Sequence, residues 1–224
     1  MASDVPRDDA GLSAHDEQRV TELLGRSPRG RYEVVVRDDA GDPVVLRNAP
    51  LLDDGTPMPT RYWLVGAEEN RRVGQLESEG GVDRAEAEVD PAALAEAHSR
   101  YAAERDAEIA ADHTGPRPSG GVGGTRVGVK CLHAHWAWHL AGGNDPVGRW
   151  IEQQFEARDR LTLAFDEAAR RDTGLIAVHA WSEFYRYEAR ATMQTEGEAV
   201  LSESLAGYAE KYPEVAVSRI VVED

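Results

Sequence analysis

The chain has 224 residues, 41% of them hydrophobic, and carries 25 basic against 41 acidic side chains, a formal charge of −16. So acidic a surface repels nucleic acid and anionic bilayers at long range and argues against both as partners. One cysteine excludes an internal disulfide framework; no apolar run of about 18 residues is available to span a bilayer, and the first residues are polar and acidic rather than leader-like, so a cytoplasmic protein is expected.

In chain order, residues 1–11 read as a flexible tail. Ser13 is placed to cap a short helix with Asp16 and Glu17 in its first turn, Gly25 past its end, and Leu12, Val20, Leu23 and Leu24 as its apolar side. RYEVVVR and PVVLRNA flank the turn DDAGD, a hairpin pattern, and TRYWLVG is a third strand; together they predict a small antiparallel sheet over residues 32–66. EENRRVGQLESEGG changes to helical spacing through Val73 and Leu76 and closes at Gly80 and Gly81. The run DPAALAEAHSRYAAERDAEIAADH predicts a longer helix with Asp90 as cap, Pro91 in its first turn, and Leu94, Ala97, Tyr101 and Ile109 facing inward. A loop, TGPRPSGGVGGTRVG, leads to a third helix expected from near Val129 to Gly142. Beyond Phe155 the texture becomes helix, strand, helix, strand, the order of parallel crossover units, with GLIAVHAW and EVAVSRIVVED as the strands. The expected fold class is therefore an α+β domain over residues 12–155 followed by a partial α/β segment over 156–224.

The chemistry concentrates in GGVGGTRVGVKCLHAHWAWHL. From Thr114 to Asn144 there is no Asp or Glu, while Arg117, Arg126 and Lys130 lie inside the run. A local positive field on a negative chain, with glycines that let amides converge and a helix start near Lys130, suits a phosphate or carboxylate. The anion-binding set read from this is Gly123, Gly124, Arg126, Lys130 and His133. No complete nucleotide-binding motif is present: Gly123 and Gly128 have P-loop spacing, but Val129 intervenes before Lys130 and Cys131 stands where a magnesium-binding hydroxyl belongs. Zinc is the second chemistry: on a helix Cys131, His135 and His139 would form one stripe, with His98 or His113 as a further ligand from elsewhere, although packing through Leu132, Trp136 and Leu140 explains the same helix without metal. The third is nucleophilic catalysis by Cys131 with His133 as base, set against the ordinary case of a small, inert, buried cysteine. Acids between residues 77 and 108 read as solvated faces, and Trp136, Trp138 and Trp150 as the junction of helix and sheet.

Residues 17–155, through PTRYWLVG, RRVGQLESEGG, AAERDAEI, GGTRVGVKCLHAHWAW and GGNDPVGRW, resemble an actinobacterial domain-of-unknown-function family often encoded near septum-formation initiator genes. The resemblance centres on Lys130, Cys131, Leu132 and His133, implies no activity, and favours Arg126, Lys130 and His133 as an anion-facing set over the zinc stripe. Residues 157–224, through LAFDEAARRDTGLIAVHAWSEF and LAGYAEKYPEVAVSRIVVED, look like part of a universal stress protein domain. That resemblance implies a parallel α/β fold, often dimeric and in many members ATP-binding; the match holds only a backbone position near Val178 of the nucleotide contacts and lacks the glycine-rich phosphate loop. Three functions follow: a soluble module holding a small anion, an enzyme using Cys131 or His133 on an anionic substrate, or a stress-related interaction protein whose incomplete α/β half pairs with a partner, another copy among the candidates.

Overall fold

The computed structural model describes residues 12–181 and 190–223; the tail expected over residues 1–11 lies outside them. The chain divides into two compact units, Met1–Gln153 and Gln154–Asp224.

In the first unit, helix α1 (Ala14–Leu24) begins where the sequence places its cap. The Ser13 hydroxyl accepts the Asp16 N–H at 3.1 Å, and the Asp16 carboxylate accepts the Ser13 N–H in return. Strands β1 (Tyr32–Arg37), β2 (Pro43–Asn48) and β3 (Tyr62–Leu64) form an antiparallel sheet in that order. The Asp38 carboxylate accepts the N–H groups of Ala40 and Asp42 at 3.0 and 2.8 Å, which shapes the hairpin turn. Strand β2 is central and covered on both faces, so its alternation is masked: Val45 and Leu46 are both fully buried. Leu46 packs with Leu12, Val20, Tyr32 and Val65 beneath α1. Val45 packs with Tyr62 and, on the other side of the sheet, with Ala97, Tyr101, Ala134 and Trp138. Those last residues belong to α4 (Pro91–Asp106) and α5 (Leu132–Leu140).

Between them, α2 (Ala67–Ser78) ends as expected, but the chain then turns at Gly80 and forms a further helix, α3 (Gly81–Glu88), where the sequence marked no element. Helix α4 starts at Asp90, whose carboxylate accepts the Ala92 and Ala93 N–H groups at 3.3 and 3.2 Å. It stops short of the predicted end at His113. The amides of Glu108 and Ile109 bond three residues back, to Arg105 and Asp106, and this tighter turn carries Ile109 inward to 7% exposure. Helix α6 (Pro146–Arg170) is continuous where two pieces were expected; Asp145 caps it, accepting the Val147 N–H at 3.0 Å.

In the second unit, β4 (Leu175–Trp181) and β5 (Val217–Glu223) pair in parallel. The predicted second helix is broken at Gly207, giving α7 (Arg190–Ser204) and a short α8 (Tyr208–Lys211). Phe165 and Ala168 pack with Leu205, Tyr212 and Val215, and Leu175, Ala177 and Val217 of the strands close on this cluster. Phe165 stacks on Tyr208 and Tyr212 at 4.7 and 5.3 Å. On the alternate positions Ile176, Val178, Ile220 and Val222 stay exposed. Among the described residues no helix is long and apolar enough to cross a membrane.

Candidate functional site

The glycine-rich loop ahead of α5 is built, not slack. Arg105, 1% exposed, turns from the end of α4 into the loop and donates from its guanidinium to the carbonyls of Gly120 at 2.8 Å, Pro59 at 3.3 Å and Pro118 at 3.4 Å. Two helical turns earlier, His98 ties two points of the loop together. It accepts the Val122 N–H on Nδ1 at 3.1 Å and donates from Nε2 to the Gly128 carbonyl at 3.1 Å. One acceptor and one donor on the same ring define a neutral imidazole, and burial holds His98 below the ordinary imidazole range. Glycine is required where the backbone closes on these groups. A Cβ on Gly121 would lie 2.4 Å from the His98 Cβ, and Gly128 combines φ 69 with a Glu86 carboxylate oxygen 2.2 Å from where its Cβ would stand. Val122 anchors the loop in the core at 0% exposure.

The amides expected to face a ligand are in part already engaged. The Val129 N–H donates to Glu86 at 2.6 Å, and the Leu132 N–H, at the start of α5, donates to Glu77 at 2.5 Å. This outside carboxylate explains why α5 begins at Leu132 and not near Val129. Cys131 precedes it in extended conformation (φ −160, ψ 146), so only His135 and His139 of the expected stripe lie on the helix. Arg126 and Lys130 are exposed, and neither makes a hydrogen bond or ion pair with another described residue. Between them Val127 stands 85% exposed, its carbonyl held by the Thr125 hydroxyl at 2.8 Å. Gly123 and Gly124 form the single turn behind this tip, both at positive φ.

His133 is tied elsewhere. Its Nδ1 lies 3.1 Å from the Glu77 oxygen that also takes the Leu132 amide. Cys131 and His133 share a cleft of about 220 Å³ with Tyr62, Trp63 and Asn70. Burial pushes the Cys131 thiol up, against a weaker pull from the Ala134 amide. His135 is buried and donates from Nδ1 to the equally buried Asp145 at 2.7 Å, leaving its Nε2 without a partner. His139 stacks on Trp136 at 5.3 Å and approaches Glu152 at 3.4 Å, while His113 bonds the Pro116 carbonyl in the loop before the site. Among the described residues no three His, Cys, Asp or Glu side chains are arranged to hold a metal ion.

Several carboxylates of α2–α4 do more than face solvent. Glu69, Glu104 and Glu88 accept the indole N–H groups of Trp136, Trp138 and Trp150 at 2.6, 3.2 and 2.7 Å. Glu104 also pairs with Arg61 at 3.1 Å and with the Tyr62 hydroxyl. A signal for part of this was available: His98, Tyr101 and Arg105 fall on one face of α4, and Asp145 before Pro146 is a cap pattern. The partners of Glu77 and Glu86 lie 55 and 43 residues away and leave no local trace.

A three-stranded antiparallel sheet held between helices, with a clamped cationic loop beside it, defines an α+β protein of the first unit's kind. The chain belongs to the family described as protein of unknown function (DUF501), whose model matches residues 34–153. The C-terminal part is similar to universal stress proteins. It is 52% identical over 66 residues to Universal stress protein Rv2005c of Mycobacterium tuberculosis and 49% identical over 67 residues to Universal stress protein Rv2623 of the same organism. Each match covers 28% of this chain and 22% of the relative, so the chain spans about a fifth of the length of the curated relatives it matches.

Proposed function

We propose that the DUF501 unit is a non-enzymatic binding module that takes up a small anionic group, phosphate or carboxylate, at Arg126 and Lys130. One observation carries this reading: two exposed cations without a partner among the described residues sit on a loop whose backbone is clamped from α4. Binding there costs little ordering of the loop. Gly123 and Gly124 shape the tip, and the neighbouring Val129 and Leu132 amides have attracted carboxylates of the chain itself, as a helix start and a glycine-rich turn favour. A thiol kept protonated by burial and a His133 committed to Glu77 support binding over catalysis.

Calorimetric titration of inorganic phosphate and of a small dicarboxylate into the full chain tests this. A saturable heat with at least one of them is expected, weakened about tenfold or more, some 1.4 kcal/mol, in Arg126→Ala/Lys130→Ala. No heat with either anion, or equal affinity in the double variant, would overturn the reading.

A further inference from the structure

We propose that His98 is a proton-operated latch on the loop that presents Arg126 and Lys130: neutral, it holds the loop closed at two points, and protonated, it lets go. The inference rests on the binding reading for its purpose but on separate geometry for its operation. The ring bridges Val122 and Gly128, six residues apart in sequence, accepting from one and donating to the other. Only the neutral ring can do both. A proton on Nδ1 sets N–H against the Val122 N–H and strips a fully buried residue of its amide acceptor. The ring has no easy retreat, because Gly121 passes so close that a Cβ there would meet the His98 Cβ at 2.4 Å.

The charged and titratable groups around it come from four elements. His135 of α5 faces it with ring centroids 5.9 Å apart and opposes protonation of His98. Asp145, at the head of α6, favours the proton, but its carboxylate already serves His135 and the Val147 amide. Arg105, on the latch's own helix, holds the Gly120 carbonyl. Glu86 of α3 is engaged by the Val129 amide at the far end of the loop. Burial lowers the affinity of the folded state for the proton below that of a free imidazole near 6.5. The sign follows: the clamp is fully present above the unfolded value and is lost as pH falls through the lower folded one.

Amide hydrogen exchange on the full chain, corrected for intrinsic rates and followed between about pH 7.5 and pH 5, reads the latch directly. Protection of the Val122 amide is expected to drop about tenfold or more across that range while amides of β2 keep theirs. In His98→Gln and His98→Asn, which cannot titrate, the pH dependence should vanish. Unchanged Val122 protection in the wild type would overturn the proposal, as would equal loss in β2 or a drop that persists in the variants; the wild-type result decides even where a variant fails to fold. Loss of Val122 protection in a chain that gives no heat with phosphate or the dicarboxylate would sink the binding reading and leave the latch standing, whereas anion binding with unchanged Val122 protection does the reverse.

Discussion

The Asp16 carboxylate serves two partners. It closes the capping box with Ser13 and receives two guanidinium bonds from Arg37, at 2.7 and 2.9 Å, which fasten α1 to the edge strand β1. The Arg37 guanidinium brings its pKa down to about 2 from the usual 3.8. A depressed carboxylate contributes stability that is present above the unfolded value and lost as pH falls through the folded one. Asp16→Asn is therefore expected to lose about 1–2 kcal/mol at neutral pH, allowing for solvent at this edge, and close to nothing near pH 2. Urea unfolding at the two pH values checks it; the same loss at both would contradict the assignment. The cap was legible, because it is a pattern three residues long. Arg37 was not, because nothing local links positions 21 residues apart.

At the scale of elements, α4 joins sheet and loop. His98, Tyr101 and Arg105 project from one face, and each hydrogen-bonds backbone groups of the sheet or the loop. The fully buried Tyr101 hydroxyl accepts the N–H groups of Arg61 and Tyr62 at 2.6 and 3.3 Å, and its ring meets Trp138 edge-on at 5.2 Å. Tyr101→Phe keeps the ring and leaves two buried amides without an acceptor, so a loss of about 1–3 kcal/mol in unfolding free energy is expected. A change below about 0.5 kcal/mol would place those amides in contact with solvent instead. The strands and helix starts were readable from turn residues and caps, as Asp90 before Pro91 shows. Helix α5 was misplaced by three residues because Glu77, from a different helix, supplies its terminal acceptor. Helix α3 leaves no periodic signature in the sequence, because its eight residues carry only two buried positions, Gly81 and Ala85.

At the scale of the whole molecule, the acid-free run and the acidic helices before it are complementary. Glu69, Glu77, Glu86, Glu88 and Glu104 of α2–α4 turn toward indoles and amides between Val129 and Trp150. These five carboxylates thus serve internal docking. What the sequence could not reveal is that these carboxylates take indoles and amides and not the cations of the run, since this depends on contacts between distant helices. Among the described residues Arg126 and Lys130 make no ion pair, and they sit on a loop that Arg105 and His98 hold in place. The most direct measurement of the account is a titration with phosphate and with a small dicarboxylate, followed by amide and side-chain chemical shifts across the full chain. Saturable shifts confined to the Thr125–Lys130 tip, with the Glu77-capped Leu132 amide unmoved, are the predicted result. Shifts clustered instead around Tyr62, Cys131 and His133, or none with either anion at saturating levels, would contradict it.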